Sequence, residues 1–242
     1  MKRLYVVGIG PGAYEKMTVE AIQVLERCSR IVGYTVYVDL LRGHFPEKEY
    51  VTTGMRQEKE RCIRALELAD EGWETAVVCS GDASVYGMAG LILELAEAYP
   101  EVDIHPVAGV TAALSGGAVL GAPLGADFAA ISLSDLLTPW EKIEKRLEGA
   151  AAADMVICLY NPASRSRRDS LKRACGILLR HLHPDTVCGY VKNIGRQKEE
   201  AKLLTLAELA GAEADMFTTV FVGNSQTKQL RGRMVTPRGY RL

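Results

Sequence analysis

Short apolar runs alternate with longer amphipathic segments along the first half of the chain. The runs have the length of buried strands, and the segments between them repeat apolar residues at helical spacing. The pattern predicts strands at residues 3–7, 30–33, 49–53, 75–79 and 102–107, and helices at residues 18–28, 57–71, 84–99 and 110–120. This alternation is typical of a mostly parallel sheet with helices on both faces.

Glycine and proline concentrate at residues 121–125, and a different rhythm follows. The second half predicts strands at residues 128–133, 155–160, 186–193, 201–205 and 218–223, and helices at residues 139–148, 166–180 and 206–211. The close spacing of the last strands indicates a mixed or antiparallel sheet. We therefore predict an α/β protein of two α/β domains, residues 1–120 and 126–242, with a hinge at 121–125 and a cofactor cleft between them.

The amino-acid composition mainly argues against certain classes of protein and certain kinds of site. The 242 residues are 48% hydrophobic and carry a formal net charge of −1, so nothing global indicates a nucleic-acid or membrane partner. The absence of a long apolar run and of a signal-peptide pattern predicts a cytoplasmic protein. The six cysteines are scattered, with no Cys-x-x-Cys pair. We interpret most of them as reduced, buried apolar side chains and expect no metal site.

Two strand ends carry residues typical of ligand sites. The apolar run at residues 75–79 stops at a small-residue turn, 80–87, which holds one acid, Asp82, and one aromatic residue, Tyr86. The first strand likewise runs into Gly8-Ile9-Gly10-Pro11-Gly12. Open α/β sheets bind ligands at the carboxyl ends of their strands. Two such ends in one half indicate a cofactor-using α/β enzyme.

The first loop matches a dinucleotide-binding spacing, but its context argues against that use. Gly8, Gly10 and Ala13 satisfy Gly-x-Gly-x-x-Gly/Ala. In a dinucleotide site the helix begins within the glycine motif, so that its N-terminus meets the pyrophosphate. Here four residues intervene before Thr18, the predicted N-cap. An NAD-linked oxidoreductase, or a plain glycine-rich turn, stays as an alternative.

Three motifs in order carry a resemblance to a known family. They are Gly8-Ile9-Gly10-Pro11-Gly12, the turn at residues 80–87, and Ala108-Gly109-Val110-Thr111-Ala112-Ala113. Together they resemble the tetrapyrrole methylase family of S-adenosylmethionine-dependent enzymes. The resemblance implies two α/β domains with the cofactor folded between them, usually in a homodimer.

Further segments resemble one branch of that family. Residues 131–140, residues 159–167 and the closing run at 218–225 look like the branch that methylates carbon 17 of precorrin-3B or cobalt-factor III, with ring contraction, on the way to vitamin B12. The sequence does not decide between the cobalt-containing and the metal-free substrate. Rival hypotheses are another methylase of the family, such as the carbon-11 enzyme or a diphthine synthase, and a noncatalytic corrinoid-binding protein.

The resemblance also implies which residues contact the cofactor. Asp82 and Thr111 have an alternative role as helix caps, and Tyr160 has one as a core aromatic at a strand end. The implied cofactor contacts are Pro11, Ser80, Gly81, Asp82, Val85, Thr111, Ala112, Ser132, Tyr160, Asn161, Asn193, Ile194 and Thr219.

The substrate would be an acidic tetrapyrrole. The resemblance places Gly10, Pro11 and Gly12 in its trough, and Arg165 and Arg167 belong to a dense basic group suited to carboxylates, or to a solvated helix face. Methyl transfer requires alignment rather than acid or base. Ring contraction does require proton movement, for which Ser134, Asp135 and Asn161 are the catalytic candidates.

Overall fold

The computed structural model describes residues 2–164 and 166–240. The chain divides into two compact units, Met1–Thr111 and Ala112–Leu242. The predicted hinge at residues 121–125 therefore lies inside the second unit. Its first two residues form a short strand, because Gly121 and Ala122 pair with a late hairpin of the same unit.

The first unit is a five-stranded parallel sheet with helices on both faces, as predicted. Its spatial order is β3-β2-β4-β1-β5. The strands are β1 (Lys2–Gly8), β2 (Arg30–Tyr34), β3 (Glu49–Thr53), β4 (Thr75–Cys79) and β5 (Val102–Val107). The helices are α1 (Val19–Arg27), α2 (Thr35–Asp39), α3 (Glu58–Asp70) and α4 (Ala89–Leu95), with a 3-10 turn at Tyr14–Lys16.

Alternating side chains of β1 enter two separate hydrophobic clusters. Leu4 and Val6 pack with residues of α3 and α4, whereas Tyr5 and Val7 pack with residues of α1 and α2. Because successive strand residues point to opposite faces, a wholly apolar strand requires helices on both sides. Burial of each such side chain contributes about 1.5–3 kcal/mol.

The second unit has a mixed five-stranded sheet in the order β10-β9-β11-β8-β7. Strands β7 and β8 are parallel and the remaining pairs are antiparallel, which confirms the mixed sheet. Its helices are α5 (Ala112–Leu120), α6 (Trp140–Ala152), α7 (Ser170–Leu178) and α8 (Leu206–Leu209). Its strands are β6 (Gly121–Ala122), β7 (Phe128–Ser132), β8 (Val156–Tyr160), β9 (Val187–Lys192), β10 (Glu200–Thr205), β11 (Thr218–Val222), β12 (Lys228–Leu230) and β13 (Arg233–Val235).

The core of the second unit also has two sides. Ile157 and Leu159 of β8 face a cluster with α6, α7 and α8, whereas Cys158 faces α5 together with Phe221. All six cysteines are free and buried, as predicted for most of them. Burial raises the pKa of the Cys79 thiol to about 11. Within the described residues, no helix combines the length and the apolar character that crossing a bilayer requires.

Three predicted helices begin two or more residues later than the sequence pattern indicates. The helix predicted at 84–99 begins at Ala89, because the preceding turn is held by its own hydrogen bonds. The helices predicted at 110–120 and 166–180 begin at Ala112 and Ser170. The five-residue helix α2 and the strands β6, β12 and β13 were not predicted, since each is too short to show a period.

Candidate functional site

The loops that follow β1 and β4 are joined into one structure at the carboxyl edge of the first sheet. Gly10 and Gly81 form an antiparallel bridge, with N–H···O distances of 2.9 and 2.7 Å. The Ile9 amide also donates to the Cys79 carbonyl at 2.9 Å. Strands β1 and β4 are neighbours in the sheet, so the loop at residues 8–12 lies beside the turn at residues 80–87. The order of these motifs in the sequence does not show this proximity.

Three glycines allow these loops to cross at backbone distance. A β-carbon on Gly109 would lie 2.1 Å from the Gly81 carbonyl oxygen and 2.5 Å from that of Gly8. A β-carbon on Gly8 would lie 2.8 Å from both the Gly109 nitrogen and the Gly81 oxygen. The glycine requirement therefore comes from packing of loop against loop. We call Gly8, Gly81 and Gly109 the glycine crossing.

Asp82 joins the loop that follows β5 to the turn that follows β4. Its Oδ1 accepts hydrogen bonds from the Ser84 amide at 2.8 Å, the Ser84 hydroxyl at 2.6 Å and the Val85 amide at 3.0 Å. Its Oδ2 accepts from the Gly109 amide at 3.0 Å, 27 residues away. Asp82 is thus a clamp on its own turn and on the loop after β5, and it does not cap α4.

The same bonds determine the charge state of Asp82. Burial raises the pKa of this carboxyl, but the hydrogen bonds from Ser84, Gly109 and Val85 outweigh it and lower the pKa to about 2. The carboxylate is therefore ionised throughout the physiological range. With four donors already on its two oxygens, its role in the structure is to order the loops.

The other residues predicted for this edge differ in exposure. Ser80 and Thr111 are half-buried and Val85 is exposed. Gly10, Pro11 and Gly12, predicted for the substrate trough, are buried. Thr18 is the N-cap of α1, as predicted, since its hydroxyl accepts from the Ala21 amide at 3.1 Å.

Residues predicted for the second unit come together at one edge of its sheet. Ser132 ends β7 beside Tyr160, which ends β8. Thr219 lies in β11 and pairs with Val191 of β9. Asn193 follows Val191 by two residues. Because β11 is antiparallel to its neighbours, its first residues meet the last residues of β8 and β9. Ser132, Tyr160, Asn193 and Thr219 therefore lie along adjacent strands at the same edge.

Two of the catalytic candidates take part in a polar network around Ser132. The Asn161 side-chain amide donates to the Ser132 hydroxyl at 3.0 Å, and the Ser134 amide donates to the same oxygen at 3.2 Å. Asn161 has φ 52°, a left-handed conformation that asparagine tolerates well. The network fixes the exits of β7 and β8 relative to each other.

Arg167 ties the segment after β7 to the loop after β8. Its Nη1 donates to the Leu133 carbonyl at 2.9 Å, and its Nε lies 3.4 Å from an Asp135 carboxylate oxygen. The Arg167 side chain is only 13% exposed, so it is not part of a solvated helix face. Arg165, its predicted partner in carboxylate binding, lies outside the described residues.

The sequence pattern missed the contact between Tyr160 and α5. The Tyr160 hydroxyl accepts a hydrogen bond from the Ala113 amide at 2.8 Å, in the first turn of α5. This bond satisfies one of the amides that a helix N-terminus leaves without an intrahelical partner. Tyr160 is half-buried, so its ring also contributes to the cluster on the α5 side of the sheet.

The first edge combines backbone-lined space with one ionised carboxylate, that of Asp82. The glycine crossing and Ala83 leave small residues there, and Ser80 and Thr111 are partly accessible. Asp82 Oδ1 accepts three hydrogen bonds and Oδ2 accepts one from the Gly109 amide, so Oδ2 keeps capacity for a further donor. A cofactor at this edge would be held by backbone groups and hydroxyls.

Comparison with known proteins adds evidence of a different kind. Residues 3–210 match the family model described as Tetrapyrrole (Corrin/Porphyrin) Methylases. A protein of Salmonella typhimurium named "Probable cobalt-factor III C(17)-methyltransferase" is 47% identical over 240 residues. That alignment covers 99% of this chain and 100% of the relative.

Solved structures share the fold. The crystal structure of the methyltransferase CobJ is 36% identical, with a TM-score of 0.90, over 98% of this chain and 100% of that chain. Uroporphyrin-III C-methyl transferase from Thermus thermophilus, complexed with S-adenyl homocysteine, is 23% identical with a TM-score of 0.69. It covers 91% of this chain and 97% of its own, and at this identity it speaks for the fold alone.

Proposed function

The chain belongs to the tetrapyrrole (corrin/porphyrin) methylase family, and on that premise we propose that it methylates carbon 17 of cobalt-factor III or precorrin-3B. The proposed reaction contracts the macrocycle and serves cobalamin biosynthesis. The observation that carries the proposal is the 47% identity to the Salmonella typhimurium protein over the whole length of both chains. The 0.90 TM-score to CobJ supports the same assignment.

S-adenosylmethionine is the methyl donor in this proposal, and it supplies an electrophilic methyl group on a sulfonium. Ser80, Gly81, Val85 and Thr111 are the first-unit residues that we propose to bind it. The Gly10–Gly81 bridge and the Asp82–Gly109 hydrogen bond hold these loops together without any contribution from a ligand group. Such preorganisation is the main contribution a protein makes to a direct displacement, which needs alignment of the reacting atoms.

Asp82 has a positioning role in the proposal. Its carboxylate orders the turn after β4 and the loop after β5. The direct contact with the cofactor that the sequence resemblance implied for Asp82 stays a prediction beside this role.

The second unit contributes its own edge to the proposed function. Ser132, Tyr160, Asn193 and Thr219 are the proposed cofactor contacts there, with Asn161 and Ile194 next to two of them in the chain, and Ala112 next to Ala113, whose amide bonds Tyr160. The Arg167 Nη1 donates to the Leu133 carbonyl, whereas its buried Nε is in ion-pair contact with Asp135 at 3.4 Å without a hydrogen bond. We propose that the Arg167 guanidinium binds a substrate carboxylate, by the charge-assisted bonding that guanidinium groups favour.

Proton transfer for ring contraction is assigned among three residues. Asp135 is the strongest of them, because it is an exposed carboxyl beside Arg167. The Asn161 side chain and the Ser134 amide are both engaged with Ser132.

We propose further that the protein is a cytoplasmic homodimer, for which light scattering at micromolar concentration is the test of the oligomer.

The test is a transfer reaction under anaerobic conditions with S-adenosylmethionine labelled with ¹³C at its methyl group. With cobalt-factor III as substrate, the proposal predicts one new ¹³C methyl resonance, assigned to carbon 17, and a ring-contracted product. A parallel reaction with precorrin-3B identifies which macrocycle is used. Label at another ring carbon would assign the chain to a different member of the family.

A further inference from the structure

The first unit buries one arginine beside which the described part of the chain places no carboxylate. Arg61, the fourth residue of α3, is only 4% exposed. Its guanidinium stays ionised in a protein, and burying a charge is costly unless an opposite charge lies beside it. Among the described residues, no aspartate or glutamate oxygen lies within 4.0 Å of this guanidinium.

The acceptors that Arg61 uses are all neutral. Its Nε donates to the Thr53 hydroxyl at 2.7 Å, and its Nη2 donates to the Gly54 carbonyl at 2.8 Å. Its Nη1 donates to the Met88 thioether at 3.5 Å, and a thioether sulfur is a weak acceptor. The guanidinium has more N–H groups than these bonds use. It therefore keeps both its charge and its donors for a further acceptor.

The same contacts place the guanidinium at the carboxyl edge of the first sheet. Thr53 is the last residue of β3, and Met88 follows the turn after β4. Tyr34, the last residue of β2, has its ring centroid 5.9 Å from the Arg61 Cζ. The strands β3, β2 and β4 are neighbours in that order. Arg61 therefore stands where three adjacent strands end, at the edge where α/β sheets bind their ligands.

We propose that Arg61 is the positive partner of a ligand carboxylate, in a subsite at the position of the Met88 thioether. This inference rests on the proposed function, in which both ligands carry carboxylates: the tetrapyrrole on its acidic side chains and the methyl donor on its amino-acid end. Charge-assisted hydrogen bonds are roughly twice as strong as neutral ones. The methionine side chain is flexible, so its thioether is the contact that the carboxylate replaces.

The test fills this subsite with a carboxylate of the protein's own. Met88→Glu puts a carboxylate where the thioether lies, and Met88→Gln puts a neutral group of the same shape there. Both variants keep Arg61. The ligand whose carboxylate uses Arg61 binds about tenfold more weakly to Met88→Glu than to Met88→Gln. The melting temperature of Met88→Glu is no lower than that of Met88→Gln, because the new ion pair compensates the buried charge.

Comparison of ligands identifies the source of the carboxylate. S-adenosylhomocysteine carries the amino-acid carboxylate, and 5′-methylthioadenosine is the same nucleoside thioether without it. If the methyl donor uses Arg61, the affinity for S-adenosylhomocysteine, measured by calorimetry, differs between the two Met88 variants. If the macrocycle uses Arg61, the affinity for cobalt-factor III, measured by absorbance titration, differs instead. In either case 5′-methylthioadenosine binds equally to both variants.

Met55→Glu is the matched control. Met55 is 50% exposed in the loop after β3, so this variant adds the same charge on the solvent side of the same edge. An equal loss of affinity in Met55→Glu, or equal affinities of the two Met88 variants for both carboxylate ligands, would overturn the inference. A lower melting temperature for Met88→Glu than for Met88→Gln would also contradict it.

The proposed function fails separately from this subsite. If the wild-type protein binds no cobalt-factor III, the proposed substrate is wrong. The subsite is still supported in that case when the affinity for S-adenosylhomocysteine differs between Met88→Glu and Met88→Gln, and it is overturned when that affinity is the same.

Discussion

The two sheet edges are built from different materials. The first is held together by backbone crossing backbone, with one carboxylate as the clamp. The second is held by side chains, in the Ser132–Asn161 network and in the bonds of Arg167 to Leu133 and Asp135. At the first edge, a β-carbon added at Gly8 or Gly109 would collide with the backbone of a neighbouring loop. At the second edge, a substitution can replace one polar side chain with another. In the proposed function, the first edge binds the methyl donor through fixed backbone groups, and the second edge contributes side chains toward both cofactor and substrate.

The largest effect is expected at the centre of the glycine crossing. Gly109→Ala places a methyl group 2.1 Å from the Gly81 oxygen, so the loops must separate. We expect the free energy of unfolding, measured in urea, to fall by about 3 kcal/mol or more. Binding of S-adenosylhomocysteine should be lost.

Gly90→Ala is the control for that substitution. Gly90 lies in α4, and a β-carbon there meets nothing within 4 Å, so alanine should stabilise the protein by up to about 1 kcal/mol. If Gly109→Ala were as stable as the wild type, the crossing would not be the rigid element described above.

The next effect concerns the clamp. In Asp82→Asn an NH2 group replaces one carboxylate oxygen, so either the Gly109 amide or the Ser84 amide and hydroxyl lose their acceptor. We expect the free energy of unfolding at pH 7 to fall by about 2 kcal/mol. S-adenosylhomocysteine should bind about tenfold more weakly, because the loops are less ordered. A variant with full stability and weaker binding would instead make Asp82 a direct cofactor contact.

The clamp also predicts a pH dependence with a definite sign. The pKa of Asp82 is about 2 in the folded protein and about 3.9 when unfolded. Its stabilisation is therefore complete only above about pH 5 and is lost progressively as the pH falls toward 2. Urea unfolding between pH 3 and 7 should show the gap between wild type and Asp82→Asn narrowing at the acid end. A constant gap would contradict the assigned pKa.

At the second edge we expect a smaller and differently distributed effect. Arg167→Ala removes a bond to Leu133 and an ion pair with Asp135, at a cost of about 1 kcal/mol in stability. It should raise KM for the tetrapyrrole while leaving S-adenosylhomocysteine affinity nearly unchanged. The neighbouring Arg168 is exposed, and Arg168→Ala should alter neither. An unchanged KM in Arg167→Ala would limit that arginine to ordering the loop.

The smallest effect is at the entry to α1. Thr18 caps the helix and also donates to the Ala108 carbonyl at 3.2 Å, one more tie between the loops after β1 and β5. Thr18→Ala should cost about 1 kcal/mol, whereas Thr18→Ser should retain most of the stability. Equal losses in both variants would show that the threonine methyl group, and not the hydroxyl, matters there.

The sequence predicted the regular elements where their period is long and locally encoded. The apolar strands β1 and β4 and the cap at Thr18 are of this kind. The start of the helix predicted at 84–99 was wrong because Tyr86 has φ 55°, a left-handed conformation that an α-helix cannot contain. The Asp82–Gly109 bond joins residues 27 positions apart, and no local pattern encodes such a contact.

Hydrogen–deuterium exchange with and without S-adenosylhomocysteine, with NAD as the control ligand, tests most directly whether the first edge binds the methyl donor. We expect slower exchange in peptides covering residues 8–13, 80–87 and 108–112 with S-adenosylhomocysteine, and no change with NAD. Protection of these peptides by NAD alone, or binding of S-adenosylhomocysteine that leaves all three unchanged, would contradict the claim that this edge binds the methyl donor.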